Sequence, residues 1–84
     1  MHETHLVKPV VEGIQQHAKE EGATKVTNVT IKVGEMTGVK EDSFKETFNV
    51  LAKGTILEGA ELNVVMFPGT IIQVLSFDVE NDEK

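Results

Sequence analysis

Residues 29–54 read VTIKVGEMTGVKEDSFKETFNVLAKG, and their hydrophobic rhythm changes once. Val29, Ile31 and Val33 alternate with Thr30 and Lys32, the period-two pattern of a half-buried strand rich in β-branched residues. Gly34-Glu35-Met36-Thr37-Gly38 breaks that pattern. Phe44, Phe48 and Leu51 then recur at helical spacing, and Gly54 supplies a C-terminal stop. Ser43-x-x-Glu46 has the form of a capping box, with an acidic start at Glu41 or Asp42 as an equal alternative.

Upstream, Leu6, Val10, Ile14 and Ala18 recur every four residues, and Val7 and Val11 widen the stripe. This is an amphipathic helix ended by Gly22. Pro9 lies inside it, and an interior proline costs about 3 kcal/mol, so a loose or kinked first turn is expected. Downstream, Leu62, Val64 and Met66 mark a second strand. Thr70 to Val79 marks a third, with Leu75, Phe77 and Val79 on one face. The order helix-strand-helix-strand-strand predicts an α+β fold: a small antiparallel sheet of about three strands with two helices packed on one face. No internal repeat or long linker divides residues 1–84, so a single domain is expected.

The link Phe67-Pro68-Gly69-Thr70 is odd for a tight hairpin. L-proline at the first loop position favours type I or II turns, whereas two-residue hairpins prefer types I′ and II′. Val65-Met66-Phe67 and Ile71-Ile72 also leave apolar side chains on both faces. One expectation is a homodimer through this Phe67–Thr70 hairpin; a strained monomeric hairpin with an apolar tip is equally compatible.

A net charge of −6 argues against nucleic acid or an anionic membrane as the main partner, since both require a basic face. No apolar run approaches the length of a membrane span, and the charged-then-apolar order of a signal peptide is missing, so a cytoplasmic location is expected. Zero cysteines exclude disulfides, thiol catalysis and a cysteine-based zinc site. No Ser-His-Asp order, phosphate loop or carboxylate pair points to an enzyme.

Met1-His2-Glu3 carries the chemistry. Initiator methionine is normally removed only before a small residue, so Met1 should persist beside His2. The Met1 amine, the His2 and Glu3 amide nitrogens and the His2 imidazole can close a planar nitrogen chelate once the amides deprotonate. That donor set suits Ni(II) or Cu(II), not tetrahedral Zn(II) or Mg(II). By itself the motif is weak, because unrelated chains begin Met-His by chance. His5 reads first as a polar surface residue and second as a transient ligand or a support for one. His17 reads as a helix-face residue. Glu35, Glu41 and Asp42 read as a solvated turn and a helix start, with an acidic rim near the N-terminus as the rarer alternative.

Met1-His2-Glu3, VGEMTGV at 33–39 and VLAKGTILEGAEL at 50–62 together closely resemble the HypA/HybF nickel metallochaperones, with LSFDVE at 75–80 similar to the family's last strand. The resemblance implies an α+β nickel-binding domain serving [NiFe] hydrogenase maturation, and urease in some bacteria. It carries the nickel ligands onto Met1, His2 and Glu3. It further implies a HypB-type GTPase and an immature hydrogenase large subunit as partners. Two departures stand out. The family's zinc module, with two CxxC pairs between the last two strands, is absent near Pro68-Gly69, so no zinc is expected. His5 stands where relatives usually carry serine. The alternatives are a metal-free interaction module that keeps the fold, or an engineered nickel-domain fragment.

Overall fold

In a computed structural model, residues 3–81 are described. Helix α1 spans Thr4–Glu20, strand β1 Ala23–Gly34, a 3-10 turn Glu35–Thr37, helix α2 Glu41–Ala52, strand β2 Glu61–Phe67 and strand β3 Ile72–Asn81. Both helices cover one face of a three-stranded sheet, α1 over β1 and β3, α2 over β2. Element order and α+β class agree with the sequence reading.

The sheet is mixed, which corrects the expected all-antiparallel arrangement. Strand order is β2-β1-β3, with β1 parallel to β2 and antiparallel to β3. The cause is α2: a helix between two strands returns the chain to the starting end of β1, so β2 runs in the same direction. Strand β3 then takes the other side of β1. Residues 67–70 therefore form no hairpin, because β2 and β3 are not neighbours. Instead the link passes over the end of β1, where the Gly34 and Met36 N–H groups donate to the Ile71 and Gly69 carbonyls at 2.8 and 2.9 Å. A Cβ on Gly34 would run into the backbone of Gly69 and Thr70, so the close passage depends on that glycine.

The core joins Val7, Val11, Ile14 and Ala18 of α1 to Val26, Val29, Ile31 and Val33 of β1 and to Phe44 and Phe48 of α2. β1 is twice as long as the alternation at Val29–Val33 indicates. Bulges at Thr24 and Thr27 explain the difference, because Val26 and Val29 share the covered face although three residues apart. At α2, Lys40 is the N-cap residue and Glu41 and Asp42 occupy the first turn, so the acidic start holds and the Ser43 capping box does not form. Gly54 follows α2 at φ +79°, as a helix stop requires.

Candidate metal-binding site

Met1 and His2 lie outside the described residues, so the site is built from Glu3 onward. Glu3 caps α1: its carbonyl accepts from the Leu6 and Val7 N–H groups at 2.9 and 3.0 Å. The first N–H groups of a helix have no acceptor within it, so the Glu3 amide stands outside the α1 ladder. No unwinding of α1 is needed to offer that nitrogen to a metal. The expected loosening at Pro9 is not found, since α1 continues through it without interruption. The proline ring costs one backbone bond, which would otherwise reach the carbonyl of His5, itself in the exposed first turn.

The level of Glu3 along the sheet follows from one contact. His17 meets Phe77 of β3 edge to face, with ring centroids 5.4 Å apart. From His17 back to Glu3 the helix covers about 21 Å. With the helix axis taken along β3, that equals about six residues of strand, the level of the start of β3. The same end carries the link over β1, the 3-10 turn and the start of α2. Thr37 locks that turn, its hydroxyl donating to the Gly34 carbonyl at 2.7 Å and accepting from the Val39 N–H at 3.2 Å.

His5 is exposed in the first turn of α1. Glu35, Glu41 and Asp42 are exposed as well, with Glu41 3.4 Å from the Lys45 ammonium. No group of three or more His, Cys, Asp or Glu side chains among the described residues is placed to hold a metal. The described side chains therefore build no such cage. His17 faces away from such chemistry, packed on Phe77 with Glu21 3.7 Å from its ring. No described helix is long and apolar enough to cross a membrane.

The profile of a family described as "Hydrogenase/urease nickel incorporation, metallochaperone, hypA" matches residues 1–72. The chain belongs to the HypA family. It is 44% identical over 62 residues to the hydrogenase maturation factor HypA of Chlorobaculum tepidum, covering 74% of this chain and 55% of that protein. It is 30% identical over 88 aligned positions to the hydrogenase maturation factor HybF of Salmonella typhimurium, covering 95% and 78%. The solution structure of the nickel metallochaperone HypA from Helicobacter pylori superposes with a TM-score of 0.82 at 17% identity, covering 98% of this chain and all of that one. That likeness establishes the fold. The chain spans little more than half the length of HypA relatives such as the Chlorobaculum protein.

One feature of the surface escaped the sequence reading: an apolar groove between α1 and the outer edge of β3, which includes Val10, Gly13, Leu75 and Phe77. Its signals are a glycine inside a helix and a strand whose alternation slips by one residue.

Proposed function

We propose that this chain carries Ni(II) as cargo for maturation of [NiFe] hydrogenase, with urease as a further destination. Where Met1 is the free N-terminus, the ion is held by the Met1 amine, the His2 amide and imidazole, and the Glu3 amide. The observation that carries this reading is the position of Glu3, which ends the helix and leaves its amide outside the ladder. Its carboxylate sets local charge or meets a partner. His5, one turn into α1, would assist transiently during loading or release.

Family membership supports nickel over Cu(II), although affinity order alone favours copper at such a site. Delivery then depends on metal availability and on partners: a HypB-type GTPase and an immature hydrogenase large subunit, met in the cytoplasm. A carrier of this kind needs no catalytic residue. With no cysteine in the chain, the zinc module of relatives has no counterpart here near Pro68-Gly69. That same observation favours a second reading, a metal-free interaction module that keeps the fold. Titration of native-N-terminus protein with Ni(II), beside His2→Ala and an N-terminally extended form, separates the two. One-to-one binding with a square-planar spectrum, lost in both variants, is expected; equal weak binding by all three supports the interaction module.

A further inference from the structure

Among the described residues nothing pairs with the outer edge of β3, and beside it lies a groove of about 620 Å³ lined by Val10, Gly13, His17, Leu75, Phe77 and Val79. Leu75 is the extra residue of a β-bulge, since Val74 pairs with Ile31 and Ser76 with Thr30. Its side chain is 49% exposed at the groove. Gly13 sits mid-helix without a positive φ, and a Cβ there would meet nothing within 4 Å. Glycine in a helix interior costs about 1 kcal/mol relative to alanine. Nothing within the described chain requires that cost.

We propose that this face is the contact between two copies of the chain, joined antiparallel through their β3 edges about a two-fold axis near the Leu75–Ser76 peptide. The argument is the polarity of the strand. Ile72 and Val74 before the bulge, and Phe77 and Val79 after it, lie on the helix-covered side; Gln73, Ser76 and Asp78 are exposed. A regular strand can pair with itself about any residue. The bulge shifts the alternation by one, which leaves a register centred on the 75–76 peptide as the one that matches faces on both halves. There Ile72 opposes Val79 of the second copy, Val74 opposes Phe77, and Gln73 opposes Asp78.

Charge agrees with this pairing. Asp78 and Glu80 of each copy fall at opposite ends of the interface rather than against each other. Asp78 comes to lie opposite Gln73, whose neighbour across the sheet is Lys32. The second copy's Leu75 enters the groove, where the missing side chain of Gly13 leaves room. In this register residues 72–79 of the two edges pair over about 26 Å, and at the thickness of this domain, near 20 Å, each copy would cover roughly 500 Å². The total is then about 1,000 Å², the size of a small, dissociable interface. The contact is independent of nickel.

The full chain, metal-free, is examined by sedimentation across a dilution series beside Leu75→Lys, with thermal melts to confirm folding. Dimers that dissociate on dilution, weakened about tenfold or more by a lysine on the strand edge, are expected. Because the chain has no cysteine, single cysteines report the register directly. Leu75→Cys should cross-link on oxidation, since residues flanking the axis lie about 6 Å apart. Gln73→Cys should not, with roughly 16 Å between copies. Monomer mass at every concentration, a dimer indifferent to Leu75→Lys, or cross-linking at residue 73 in place of 75 would each overturn the proposal.

Discussion

Replacing Gly34 with alanine asks whether the 67–71 link truly crosses the end of β1. In an ordinary strand end the change is favourable by about 0.5–1 kcal/mol, because glycine loses more freedom on folding. Here the added methyl meets the backbone of Gly69 and Thr70, which cannot rotate away as a side chain would. Overpacking of this kind costs about 1–3 kcal/mol. Displacing the link also strains the bonds from Gly34 to Ile71 and from Met36 to Gly69, each worth about 0.5–1.5 kcal/mol. The expected loss is about 2–4 kcal/mol, against a total stability of about 4–12 kcal/mol for a domain of 84 residues. At about 4–8 °C per kcal/mol, the melting temperature should fall by about 8–32 °C. Gly13→Ala, melted at a dilution where the chain is monomeric, is the internal control, expected to raise it by about 5 °C, because within one chain its methyl meets nothing within 4 Å. Thermal unfolding by circular dichroism reads both. A Gly34→Ala protein as stable as the parent would refute the crossing and restore the hairpin.

Nickel affinity should fall steeply as pH is lowered, because protons compete for the amine, the imidazole and above all the amides; calorimetry over a pH series checks this. His5→Ala should weaken binding far less than His2→Ala in the same titration. Phe48→Ala removes a fully buried ring, at a cost of about 3–5 kcal/mol, and urea unfolding should show a large loss of stability or no folded state. Phe67→Leu removes the ring 4.5 Å below the Lys32 ammonium and should cost about 0.5–1 kcal/mol beyond the change in packing, measured against the same change in a Lys32→Met background.

Helices were legible because periodicity reports which face is buried: the stripe from Val7 to Ala18 and the pair Phe44 and Phe48 are core in the folded chain. Strand pairing was not, since alternation shows which side of a strand is covered and never which strand lies beside it. Two signals pointed to the actual topology. A helix intervenes between the first two strands, which makes a parallel pair natural. Pro68 also suits a tight hairpin poorly, and that conflict vanishes once the link is a crossing over β1. The first half of β1 was hidden by its bulges at Thr24 and Thr27. Glu3 as the helix cap was equally hidden, because glutamate is not among the residues that usually mark an N-cap and its side chain makes no capping bond. The groove beside β3 went unnoticed for a related reason: Leu75 aligns with Phe77 and Val79 by count, and the bulge removes it from their face.

The most direct test of the nickel site is a comparison of Glu3→Pro with Glu3→Gln. Proline removes the amide hydrogen at residue 3 and spares the α1 ladder, which does not use it; glutamine removes only the carboxylate charge. Each protein is titrated with Ni(II) and followed by absorbance, with thermal melts as the check on folding. The backbone chelate predicts that Glu3→Gln keeps the square-planar spectrum and near-parent affinity, while Glu3→Pro loses both. Parent-like binding by the proline variant would contradict it and move the ligands to side chains.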